Sequence, residues 1–277
     1  MKKDLIIGIG VGIPVLIIMV LIGGGGHVPE FEDQPPIHEL PDSDSYEFSN
    51  SEFTEFGKYD VEIESVSYSN HQGFLAKPNS SENFPGIVMI HEWWGLNDNI
   101  KDTAQKLASH GYVVLAVDLF GDVATDAQKA SQMISEFDQA SGIINMNSAV
   151  EYLHNHSVEK VGSIGWCFGG GQSLNLALNS DLDASVIYYG KLVTDSDELS
   201  KIDWPVLGIF AELDKGIPVS QVSEFEKVLN QLKINNEIIV YPGVDHAFAN
   251  PTGERYAPIE TADAWSKTLR FFNENLK

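Results

Sequence analysis

The sequence predicts an α/β fold, with a doubly wound, mostly parallel sheet and helices on both faces. Three observations predict it. From Lys58 to the C-terminus, short apolar runs alternate with helical patterns. Most of those runs are continuous rather than alternating, as strands buried on both faces require. The length of 277 residues, with 43% hydrophobic content, suits one large α/β domain and an N-terminal appendage.

The elements follow in order. Met1-Lys2-Lys3-Asp4 leads into the apolar run Leu5 to Ile22, whose eighteen residues would span about 27 Å as a helix, roughly the hydrocarbon thickness of a bilayer. Residues 1–22 therefore read as a signal or membrane anchor, and the run is long for a cleaved signal core. Residues 23–57 contain nine acids and no Lys or Arg, so they read as an acidic flexible tether. Lys2 and Lys3 ahead of the span put the bulk of the chain outside the cytoplasm, with a secreted form if the segment is cleaved.

Residues 58–277 carry the fold. "DVEIESVSY" alternates like an antiparallel edge strand. "FPGIVMIHE", "YVVLAVDL", "KVGSIGW", "ASVIYYG", "WPVLGIFAEL" and "NEIIVYP" read as buried parallel strands. Helical patterns cover 100–110, 127–153, 169–178, 219–232 and 259–276. Such sheets place working residues at the C-terminal ends of their strands.

Charge narrows the partners. The chain has 17 Lys+Arg against 40 Asp+Glu, a surface that repels phosphate backbones, so no nucleic-acid partner is expected. His154 and His156 lack ligand-spaced Cys or acids, and His91-Glu92 has glycine at position 95 where H-E-x-x-H needs histidine. Neither a metal nor a cofactor is expected.

The one cysteine of the chain lies where a strand signal meets a helix signal, within Gly165-Trp166-Cys167-Phe168-Gly169. G-x-C-x-G corresponds to the G-x-S-x-G elbow, whose flanking glycines are needed because the turn brings backbone too close for side chains. A core cysteine is the bland alternative, and redox chemistry lacks a second thiol. Two later strand ends supply partners in the order that this architecture uses, Asp214 and then His246. Asp245 competes with Asp214, but its side chain should point away from the adjacent ring.

With "HEWWGLND", "GWCFGG", "YYG", "AELDKGIP" and "DHAF" in order, residues 58–277 resemble the dienelactone hydrolase family. The resemblance implies an α/β-hydrolase fold and a Cys167-Asp214-His246 triad. It implies Glu92 as a carboxylate touching the resting thiol, and backbone N–H groups of Trp93 and Phe168 as the oxyanion hole. The implied activity is hydrolysis of a small-molecule ester, lactone or thioester through an acyl-cysteine. A binding protein that kept the pocket without turnover is the alternative.

The family's type enzyme holds a carboxylate-bearing lactone with two arginines, and those places are here Asp122 and Asn250. A neutral or weakly charged substrate is therefore expected, unless Lys191 supplies a replacement cation. Trp94, Phe120, Tyr189, Lys191, Phe248 and Asn250 are the expected pocket residues.

Overall fold

A computed structural model describes residues 56–277. The expected anchor, and all but the end of the expected tether, lie outside these residues. Among the described residues, no helix is long and apolar enough to cross a membrane.

Eight strands form one sheet in the order β1-β2-β4-β3-β5-β6-β7-β8. The strands are β1 (Val61–Tyr68), β2 (His71–Pro78), β3 (Gly86–Ile90), β4 (Val113–Val117), β5 (Val161–Trp166), β6 (Ala184–Tyr188), β7 (Val206–Ala211) and β8 (Asn236–Tyr241). β1 and β2 pair antiparallel, β2 pairs antiparallel with β4, and every pairing from β4 to β8 is parallel. The helices are α1 (Asp98–Ser109), α2 (Ala127–Glu136), α3 (Gln139–Asn155), α4 (Phe168–Ala177), α5 (Ser196–Leu199), α6 (Val219–Gln231) and α7 (Pro258–Leu276).

The pleat sorts each central strand onto two cores. Ile87 and Met89 of β3, with Val114 and Ala116 of β4, pack with Ile100 and Leu107 of α1 and Phe272 of α7. Their neighbours Val88, Ile90, Leu115 and Val117 turn to the opposite face, with Met146 of α3, Leu174 of α4 and Phe225 of α6. Period-two alternation of fully apolar strands thus sandwiches the sheet between helices.

Two expectations on the elements need correction. β2 is not among the runs read as strands, because Gly73, Lys77 and Pro78 dilute its apolar signal; pairing with β1 and β4 holds it. The single helix expected over 127–153 is two. Phe137 is extended at ψ 123° and Asp138 caps the second helix through Ser141 N–H. The Phe137 ring lies where a Cβ on Gly142 would sit, 2.3 Å from its nearest atom, so this small residue lets the ring close over the break.

Candidate active site

β5 ends in the tightest turn of the site. Cys167 has φ 55°, a left-handed value that costs a non-glycine residue energy and marks an imposed conformation. Its N–H donates to the Tyr188 carbonyl of β6 at 3.0 Å, and α4 begins at the next residue. The thiol is therefore presented at the strand ends, half-buried, beside the free N–H groups that any helix start carries.

The loops after β7 and β8 bring the other two side chains to it. His246 Nε2 lies 3.0 Å from Cys167 Sγ, and His246 Nδ1 lies 2.6 Å from Asp214 Oδ2. Asp214 is buried, and its Oδ1 accepts the Gly216 and Ile217 N–H groups at 2.8 and 3.1 Å. Burial pushes this carboxyl up, but His246 and the two amides outweigh it and hold it below the ordinary value. Burial also disfavours the imidazolium, yet the Asp214 and thiol contacts prevail and raise His246 above the usual imidazole value. Asp245 instead accepts the His246 backbone N–H and lies 3.7 Å from Arg255, as the adjacency argument expected.

Glu92, at the end of β3, departs from its expected contact. Its carboxyl accepts from Asn250 Nδ2 at 2.5 Å, while the thiol is held by His246. Burial raises this carboxyl to about 7, against the opposing pull of His246 and Asn250. A raised carboxyl favours the folded state below its unfolded pKa, and that advantage is lost as pH rises through 7. Glu92→Gln is therefore expected to gain about 3 kcal/mol on wild type between pH 4.5 and pH 8. Denaturant titrations at both pH values check this, and an unchanged difference would refute the buried-charge argument.

Three expected pocket residues are elsewhere. Phe248 is fully buried between Tyr189 and Tyr241, with ring centroids 5.6 and 5.3 Å away, because its chain position turns it under the loop into the core. Asn250 is also buried: its amide nitrogen donates to Glu92, and its amide oxygen accepts from the Thr252 N–H and hydroxyl. Lys191 is exposed, its backbone packed beside Gly171 of α4. Of the others, Tyr189 is buried with its ring edge on His246, Trp94 packs edge-on against Trp93, and Phe120 packs on Phe168. Phe120 also borders a groove of about 440 Å³ with Phe137 and Met133.

The cations beside the imidazole are ones the sequence reading passed over. Lys215, Arg255 and Asp245 share a groove of about 400 Å³ with Asp214, Gly216 and His246. The adjacency of Lys215 to Asp214 was the available signal; Arg255 lies nine residues past His246 and gave none. Asp122 is exposed and pairs with Lys129 at 3.1 Å. A larger cavity, about 590 Å³, lies at the opposite ends of the strands, beside Pro85 and Lys160. Among the described residues, no group of three or more His, Cys, Asp or Glu side chains could hold a metal.

Comparison with known proteins places this geometry. A protein from Saccharolobus solfataricus, named provisionally as a carboxymethylenebutenolidase, is 29% identical over 246 residues, spanning 72% of this chain and 92% of that protein. Protein usf from Aquifex pyrophilus is 32% identical over 220 residues, 74% of this chain and 94% of its own. A crystal structure of a dienelactone hydrolase-like promiscuous phosphotriesterase from metagenomic libraries superposes with a TM-score of 0.72 at 25% identity, covering 78% of this chain and 99% of that one. The Dienelactone hydrolase family model matches residues 71–276. An elbow cysteine within reach of a strand-end histidine, on an eight-stranded α/β-hydrolase sheet, thus has its context: the chain belongs to the dienelactone hydrolase family.

Proposed function

We propose that the protein hydrolyses a small carboxylic ester, lactone or thioester through an acyl-cysteine intermediate. One observation carries the reading: a single imidazole lies 3.0 Å from the Cys167 sulfur and 2.6 Å from the Asp214 carboxylate. The family's hydrolase activity and the name of the Saccharolobus relative support it.

Cys167 gives its proton to His246 Nε2, and its sulfur attacks the substrate carbonyl carbon. The carbonyl π electrons move to oxygen, where the N–H groups of Trp93 and Phe168 receive the negative charge. The tetrahedral species collapses, the carbon–oxygen bond of an ester or lactone (carbon–sulfur in a thioester) breaks, and His246 returns the proton to the leaving alkoxide or thiolate. Water then gives a proton to His246 and attacks the acyl-cysteine; the second collapse releases acid and re-forms the thiol. Asp214 fixes the imidazole with Nδ1–H facing it throughout. Placement outside the cytoplasm, carried by Lys2, Lys3 and the acidic stretch after the apolar run, belongs to the same proposal.

The charges in the groove beside His246, on the Asp214 side of the ring, favour a neutral or weakly charged substrate. Lys215 and Arg255 share it with Asp245 and Asp214, so the cations are balanced locally. An ion stripped of water without a dedicated partner costs several kcal/mol. A neutral methyl ester is expected to show a higher kcat/KM than the analogue bearing a free carboxylate at the same place. Steady-state kinetics on that pair, with Lys215→Met and Arg255→Met alongside, test it. A preference for the carboxylate that either variant removes would assign the cation responsible and end the neutral-substrate reading.

A further inference from the structure

We infer that His91 is a positioning residue for the Trp93 N–H, acting through the peptide plane that joins Glu92 to Trp93. The inference rests on the acyl-cysteine reading above. His91 is fully buried at the end of β3, and its two ring nitrogens have partners of opposite kind. Nδ1 lies 2.6 Å from the Glu92 carbonyl oxygen, which can only accept, so Nδ1 carries the proton. Nε2 lies 3.1 Å from the Leu119 N–H, which can only donate, so Nε2 carries the lone pair. One neutral tautomer satisfies both contacts, and burial favours that neutral form.

The consequence lies one bond further on. The Glu92 carbonyl and the Trp93 N–H belong to one trans peptide, planar and with opposed dipoles, so fixing the oxygen fixes the direction of the N–H. Gly95 N–H also reaches the Glu92 oxygen, but at 3.3 Å, so His91 is the shorter of its two tethers. Through Leu119, the same ring ties this loop to the loop after β4. Phe168, whose N–H is the second donor, stacks on His91 with centroids 6.1 Å apart and planes 24° apart. The same side chain thus holds the peptide of one donor and touches the ring of the residue that carries the other.

The test uses His91→Phe, which keeps a ring and loses both hydrogen bonds, and His91→Gln, which keeps one donor and one acceptor. For a neutral ester, His91→Phe is expected to lower kcat by about 10- to 100-fold with KM within about threefold, less than removal of a whole oxyanion donor costs. Affinity for a simple aliphatic aldehyde, which adds the Cys167 sulfur to carbon and a proton to oxygen, should fall by a similar factor. The rate of Cys167 alkylation by iodoacetamide should stay within about twofold, and His91→Gln should recover most of kcat. Unchanged kcat, or alkylation slowed as much as turnover, overturns the inference. If His91→Phe does not fold, nitrogen NMR of wild-type His91 decides: an Nε2–H tautomer or an imidazolium at pH 7 overturns it. Failure here leaves Cys167→Ala inactive, whereas an active Cys167→Ala would remove the acyl-cysteine reading itself.

Discussion

Cys167→Ala is expected to lower kcat by about a thousandfold or more while the domain stays folded. The removed atom is the one that forms the covalent bond, and no other thiol in the sequence can replace it. The fold should tolerate the change, because Cys167 is only half-buried and alanine keeps the Cβ that the φ of 55° already accommodates. One equivalent of iodoacetamide should abolish activity in parallel with thiol loss. Melting curves and circular dichroism check the fold, and single-turnover mass spectrometry should find acyl mass on Cys167. Most of the activity remaining in Cys167→Ala would show that hydrolysis uses another group.

The same residue shows how much the sequence could reveal. That Cys167, Asp214 and His246 would meet was legible because each follows an apolar strand run, and strand ends in this architecture converge by topology, whatever the side-chain details. The sequence did not show that Asn250 and Phe248 are buried, because position along a loop does not set side-chain direction. A 3.6 or 2.0 period tells which face a residue takes in a helix or strand, but the loop between β8 and α7 has neither. There Phe248 turns inward to fill space between Tyr189 and Tyr241, and Asn250 satisfies a buried carboxyl that apolar surroundings would otherwise leave unpartnered. Arg255 was invisible for a related reason: proximity across a loop depends on how that loop folds back. The break between α2 and α3 was hidden because Phe137 and Asp138 leave the helical period nearly unbroken in sequence, while the Asp138 cap acts locally.

The second large effect concerns the glycines that let the elbow exist. Gly165→Ala and Gly169→Ala are each expected to destabilise the protein by about 3 kcal/mol or more and to remove most activity. A Cβ on Gly165 would lie 2.1 Å from the Gly169 carbonyl oxygen, and one on Gly169 would lie 2.3 Å from that of Ile90. Both obstacles are backbone, and both belong to structure that has little freedom to retreat. Gly169 sits in the first turn of α4, and Ile90 in the central strand β3, paired on both sides. Relief therefore requires α4 to move off the sheet, and that motion carries Cys167 away from His246. Gly121→Ala is the control. Its φ of 68° is left-handed, but nothing lies within 4 Å of its would-be Cβ, so only the conformational penalty of about 1 kcal/mol applies. Denaturant unfolding of the three variants, with Cys167 alkylation rates measured on the folded proteins, separates crowding from backbone strain. Equal losses at positions 121, 165 and 169 would mean that crowding at Gly165 and Gly169 costs no more than the left-handed backbone at Gly121, and the close approach of α4 to β3 would then have no part in presenting the thiol.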